Sequence, residues 1–224
     1  PYRRQRQMCI RDRTDTVRFT PFIYGTNANK WEPGAKNPPL YKVMLFTRRD
    51  GAYREYMPLK IGFGKTELVD GRLTRFDKEL KLVKAGYNAA ADRKTTLAEL
   101  KALKAKGNNT ICPDYPQPGW FYDLCDELGL YVIDCANINA PEKRDDRKVG
   151  GTPSNDPSLA DEYLERVKAM YYRSRNHSCV IAFALGGESG NGYNMYKAYE
   201  WLKSVEKSRP VICADADGEW NSDL

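Results

Sequence analysis

The chain has 224 residues, enough for one large domain or for one small and one partial domain, and its 41% hydrophobic and 29% charged residues are an ordinary globular balance. The formal net charge is +6, but residues 1–13 alone hold five Arg against one Asp and the rest is near balance, so no nucleic-acid partner is expected. No apolar run approaches the roughly 18 residues of a membrane span, so no membrane partner is expected either.

Residues 1–13, PYRRQRQMCIRDR, lack an apolar h-region and do not read as a signal peptide. They resemble a translated sequencing adapter and are expected to be a non-native head without packed contacts, leaving Met8 and Ile10 unburied. The chain is then expected to be an internal piece of a longer protein, and its compartment is not readable. The six Cys form no C-x-x-C pair, so neither a zinc site nor a dense disulfide framework is expected. Cys112, Cys135, Cys179 and Cys213 fall in strand-like runs, where buried thiols are common. The 15 Tyr and 4 Trp suit a sugar-binding surface and an ordinary aromatic core equally well.

Residues 14–70 read as short strands between turns. Tyr41 to Phe46 is a β-prone run, Arg49-Asp50-Gly51 supplies a hairpin turn, and Tyr53 to Ile61 returns, like the last strands of a sandwich. From about residue 78 the rhythm alternates. Strand-like runs are expected at Lys81–Asn88, Asn109–Pro116, Leu130–Asn137, Cys179–Leu185 and Pro210–Ala214. Helices are expected at Thr95–Lys106, Gly119–Leu128, Leu159–Tyr172 and Tyr193–Val205, with Gly107 and Gly129 as stops and a long polar loop before Pro157. This is parallel α/β, and periodicity does not separate a doubly wound sheet from a barrel. Runs that end in polar residues (Asn88, Asp134 with Asn137, Glu188 with Ser189, Asp215 with Asp217) favour the barrel, where functional groups gather at the C-terminal strand ends.

The sharpest chemical feature is Leu185-Gly-Gly-Glu-Ser-Gly190: a buried strand runs into a carboxylate whose small neighbours leave room for a ligand. Other passages place it in context. They are Trp31-Glu-Pro33, Pro38-Pro-Leu-Tyr41 and Ile61-Gly-Phe-Gly-Lys-Thr-Glu67; Phe121-Tyr-Asp-Leu-Cys-Asp-Glu-Leu-Gly-Leu-Tyr-Val-Ile-Asp134; and Arg175-Asn-His177 with Val180-Ile181. On these passages the chain after residue 14 resembles glycoside hydrolase family 2, the β-galactosidase, β-glucuronidase and β-mannosidase family.

The resemblance implies the end of an immunoglobulin-like β-sandwich at residues 14–75. It implies the N-terminal part of a TIM (β/α)₈ barrel, its first five strands, at 76–224. The implied function is that of a retaining exo-β-glycosidase, β-galactosidase-type, with a β-linked carbohydrate as partner and no cofactor. In the family a Glu ending strand four is the general acid/base, and Glu188 matches it. The nucleophile ends strand seven, past the five strands counted here. Because retaining hydrolysis needs two carboxyls about 5–5.5 Å apart, the chain alone is expected to be inactive.

Several positions depart from the family pattern. Gly187 replaces the Asn that meets the sugar 2-hydroxyl, and Cys135 replaces a Glu. Asn88 is followed by Ala89, Ala90, Ala91 and Asp92 in place of a His-bearing motif, and Ile111 to Pro116 lacks the family's Arg and His. Substrate contacts are therefore expected from Asn88, Asp114, Asn137, the Gly187 position and Trp220. Asp92 and Asp114 read equally as solvated carboxylates, and Trp220 equally as packing. Asn88, Asp114, Asn137, Glu188 and Asp215 are expected on one rim. His177, the single His, precedes a buried strand and reads as a structural cap, so no metal ligand is assigned. The alternative is a catalytically dead homologue that binds carbohydrate or scaffolds a complex, favoured by Gly187 and Ala89–Ala91.

Overall fold

The computed structural model describes residues 29–33, 38–89 and 91–224, so the basic head and Ala90 lie outside the described residues. An antiparallel ribbon comes first, β1 (Tyr41–Arg49) against β2 (Ala52–Ile61). Its turn, Asp50-Gly51, has positive φ at both residues, the backbone that a two-residue hairpin needs to follow the strand twist. A short meander follows: β3 (Thr66–Val69), β4 (Arg72–Arg75) and β5 (Lys78–Glu79).

Five parallel strands then form one sheet: β6 (Lys84–Tyr87), β7 (Thr110–Pro113), β8 (Tyr131–Cys135), β9 (Val180–Ala184) and β10 (Val211–Ile212). They lie side by side in chain order. Between them run α1 (Arg93–Ala105), α2 (Gly119–Leu128), α3 (Ala160–Ser174) and α4 (Tyr193–Val205), and each helix packs on the next. The helices therefore share one face of the sheet. A doubly wound sheet would reverse its strand order and carry helices on both faces. Sequential order with one helical layer is instead an arc of a (β/α) barrel, as the polar strand ends favoured.

The elements form for local reasons. Asp92 caps α1, its carboxylate accepting from the amides of Lys94 and Thr95. Helix α2 stops at Gly129, which has φ +67°, and a Cβ there would come within 2.7 Å of the Pro38 ring. Helix α3 carries Asp161 and Glu162 in its first turn and Arg173 in its last, complementing the helix dipole. Leu100, Phe121, Val167, Met170 and Leu202 of the helices meet Ile111, Val132, Ile181 and Phe183 of the strands in a continuous core.

The preceding segment docks on the N-terminal end of the strands. Trp31 is fully buried and donates from Nε1 to the Asp126 carbonyl at 2.8 Å. The Ser178 hydroxyl accepts from the Gly62 amide and donates to the Gly62 carbonyl, both at 2.8 Å. The two Asp126 oxygens take the Cys179 amide and His177 Nδ1, each at 2.7 Å.

Candidate active site

At the C-terminal end of the strands lies an open cleft of about 390 Å³. Strand β6 delivers Asn88 to it; β7 delivers Cys112, Asp114 and Tyr115; β8 and its loop deliver Cys135 and Asn139; the end of β9 delivers Gly187 and Glu188. Four successive strand ends thus converge on one hollow, and Glu188 offers it a carboxylate whose side chain is 69% exposed.

The segment bearing Glu188 is held by backbone contacts that need small residues. The Gly187 amide donates to the Ile138 carbonyl, and the Ala140 amide to the Glu188 carbonyl, both at 2.9 Å. A Cβ on Gly186 would stand 2.8 Å from the Ile138 oxygen, so the loop after β8 closes only on glycine there. Gly190 has φ +69° and lies under the Arg144 carbonyl. The Ser189 carbonyl accepts from Ser154 at 2.6 Å and Thr152 at 3.0 Å.

Asp215, after β10, completes the support. One carboxylate oxygen accepts the amides of Ser189 and Gly190, each at 2.7 Å, and the other accepts from Arg144 Nη2. Burial alone would push this carboxyl up. The two amides and the guanidinium outweigh it and hold Asp215 below the usual carboxylate range. Arg144 Nη1 also lies 3.8 Å from Glu188 Oε1, so one guanidinium spans both acids. Burial pushes the Cys112 thiol up and the Cys135 thiol to about 12, so neither cleft thiol is a ready nucleophile.

Asn137 and Trp220, expected as contacts, and the polar strand-end residues Asp134 and Asp215 lie outside this cleft lining. Asp215 sits behind Glu188 and lines a neighbouring hollow with Arg147 and Asp217. Asn137 does not line the cleft, and its carbonyl accepts from Arg166 of α3. Trp220 packs against Tyr196 and Tyr199 of α4, ring centroids 5.3 and 5.6 Å away, outside the cleft lining. Asp134 is fully buried on the helical side, accepting from Tyr122 at 2.6 Å, Arg173 at 2.9 Å and the Ser174 hydroxyl. Asp92 is the α1 cap described above.

Asp126, His177 and Cys179 gather ligand atoms closely enough to hold a metal ion. Their chemistry suits hydrogen bonding better. Both Asp126 oxygens are engaged, one by the Cys179 amide and the other by His177 Nδ1. His177 caps the start of β9 here, with its ring beside Tyr122.

Sequence reading missed Tyr115, Asn139 and Arg144. Asn139 donates to the Tyr115 hydroxyl at 2.9 Å across the cleft. Tyr115 adjoins Asp114 and could have been found with it. Arg144 stands in a loop without periodicity, and only the fold brings it to Glu188.

The sequence profile of "Glycosyl hydrolases family 2, TIM barrel domain" matches residues 87–223. The chain is 34% identical to the β-galactosidase of Vibrio cholerae serotype O1 over 185 residues, covering 78% of this chain and 18% of that one. It is 36% identical to the β-galactosidase of Lactococcus lactis subsp. lactis over 190 residues, again 78% and 18%. The chain thus spans less than a fifth of these curated relatives. Among solved structures it is similar to a β-glucuronidase from Ruminococcus gnavus in complex with D-glucuronic acid, with TM-score 0.68 and 19% identity over 84% of this chain and 33% of that one. It is also similar to the exo-chitosanase of Amycolatopsis orientalis, with TM-score 0.65 and 21% identity over 84% and 24%.

Proposed function

The chain belongs to glycosyl hydrolase family 2, and from that premise we propose that it is part of a retaining exo-β-glycosidase of the β-galactosidase type, with Glu188 as general acid/base. The observation that carries this reading is the position of Glu188: an exposed carboxylate at the end of the fourth barrel strand, on the wall of the cleft where four strand ends meet. In such a role it gives a proton to the departing glycosidic oxygen and then takes one from the attacking water. The nucleophile comes from a later strand of the full-length protein, so the described arc alone does not complete the reaction. The hairpin of β1 and β2, within residues 14–75, belongs to an immunoglobulin-like sandwich, whose further strands would cover the Met44, Phe46, Tyr56 and Leu59 side chains that the two-stranded ribbon leaves exposed. Residues 76–224 are the start of the barrel.

Asn88, Asp114, Tyr115 and Asn139 supply the polar contacts to sugar hydroxyls. A Cβ on Gly187 would lie 3.7 Å from the Asn139 side-chain oxygen. Asn139 therefore brings a carboxamide to the space that Gly187 leaves empty, and takes over the contact to the 2-hydroxyl. The test is Glu188→Ala in the full-length protein, assayed on an activated aryl glycoside with and without azide. Azide should restore turnover and give a β-glycosyl azide of retained configuration, because a small anion fills the space of the lost carboxylate and needs no proton removed. A second reading, a carbohydrate-binding homologue without catalysis, draws on Ala89 and Ala91, which bring no polar side chain to the loop after β6. Saccharide binding by calorimetry with no turnover by the unmutated protein would select it.

A further inference from the structure

We propose that Arg144 and Asp215 are positioning residues for Glu188, a charged clamp that sets where its carboxyl points; this inference rests on the acid/base reading above. Three observations converge. Asp215 takes the amides of the two residues that follow Glu188, Ser189 and Gly190, at 2.7 Å each, which fixes the backbone immediately after the acid. The Asp215 side chain is almost fully enclosed, at 6% exposure, so its charge is answered locally by Arg144 and not by solvent. Arg144 in turn reaches Glu188 Oε1 at 3.8 Å through its other terminal nitrogen.

The clamp joins three segments: the end of β9, the end of β10 and the loop after β8 that carries Arg144. Glu188 itself has no closer ion pair among the described residues, so Arg144 is the one cation that biases its direction. Because Asp215 holds one arm of the guanidinium, the other arm keeps its distance from Glu188 and leaves that carboxyl free to meet a leaving group. Without Asp215, the guanidinium would collapse onto Glu188 as a close, hydrogen-bonded pair and compete for the oxygen that must carry the proton.

The experiment is kinetic, on the full-length protein, with a natural disaccharide and an activated aryl glycoside measured side by side. Asp215→Asn keeps an acceptor for the two amides but removes the charge that holds Arg144. It should lower kcat/KM on the disaccharide about 100-fold, the scale of a misplaced catalytic group, while the aryl glycoside loses less than about threefold. Arg144→Gln, which keeps a hydrogen-bond donor for Asp215 at a side chain that is 42% exposed, is the second variant, with its melting temperature measured beside the kinetics, and it should show the same unequal loss in weaker form. The double variant Glu188→Gln/Asp215→Asn should be no slower than Glu188→Gln alone, since a positioning residue has nothing left to position. Equal losses on both substrates, or additive losses in the double variant, would overturn the clamp while leaving the acid/base reading intact. If Glu188→Gln itself shows no leaving-group dependence, the acid/base reading falls and the clamp falls with it.

Discussion

At the N-terminal end of the barrel strands, the enclosed Asp126 bonds Trp31, His177 and the Cys179 amide, and the half-buried Ser178 bonds the backbone of Gly62. At the C-terminal end, Asn88, Asp114 and Glu188 face an open cleft, and the buried groups nearby support them from behind. Polar side chains at one end hold the fold, and at the other they face open space. The matched passages follow the same division. Phe121 to Asp134 and Arg175 to His177 build the closed end and the helix layer, while the departures at Ala89, Cys135 and Gly187 fall at the open one.

The largest effect that would sharpen this contrast is on stability. Trp31→Ala removes a fully buried indole and its bond to the Asp126 carbonyl, and should cost about 3–5 kcal/mol in denaturant unfolding. Asp126→Ala strands the buried Cys179 amide and the His177 ring nitrogen, with a loss of about 1–3 kcal/mol for each unpaired group. Glu188→Ala, on the exposed rim, should stay within about 0.5 kcal/mol of the parent. An equal destabilisation at Glu188 would erase the distinction between the two ends.

The two adjacent glycines give the next contrast. Gly186→Ala forces its Cβ against the Ile138 carbonyl and should cost about 1–3 kcal/mol, whereas Gly187→Ala meets only ordinary contacts and should be close to neutral. Similar melting temperatures for the two variants would show that the loop after β8 is not packed as described.

The ends should also fail at opposite extremes of pH. Burial raises Tyr131, at the closed end, to about 12, with Arg75 opposing. A raised folded value means that its contribution is complete below the unfolded value of roughly 10 and is lost as pH rises from there through about 12. Asp215, at the open end, is depressed, so its contribution is complete above roughly 3.9 and is lost as pH falls through its lower folded value. Tyr131→Phe should remove part of the alkaline loss and leave the acid limb unchanged in pH-dependent melting. The smallest effect is at Asp92, also held below its usual range, chiefly by the Thr95 hydroxyl and amide: Asp92→Ala should fray the first turn of α1 in amide exchange, without a change in the cleft.

Much of the fold was legible because it rests on local signals. The helix Gly119–Leu128 ends where Gly129 adopts a left-handed backbone, and the apolar runs at Tyr131–Cys135 and Val180–Ala184 fall inside the expected strands. The cleft was legible only in part. Asn88, Asp114, Gly187 and Glu188 sit directly at strand ends, so counting strands locates them. Arg144 and Asn139 lie in a long loop whose path is set by backbone bonds to Gly187 and Glu188, which no periodicity encodes. Trp220 and Asn137 show the converse: lying after a strand does not place a residue in the cleft, since the rings of α4 hold the Trp220 side chain and Arg166 on α3 holds the Asn137 carbonyl.

The most direct test is Glu188→Gln in the full-length protein, with melting temperature measured beside kcat/KM on a natural disaccharide and on an activated aryl glycoside. The expected result is an unchanged melting temperature and a loss of about 100-fold or more on the disaccharide, with far less on the aryl glycoside, because only the poor leaving group needs a proton as it departs. Equal loss on both substrates, or a fall in stability like that of Asp126→Ala, would contradict the assignment of the open rim to chemistry and of Glu188 to the acid.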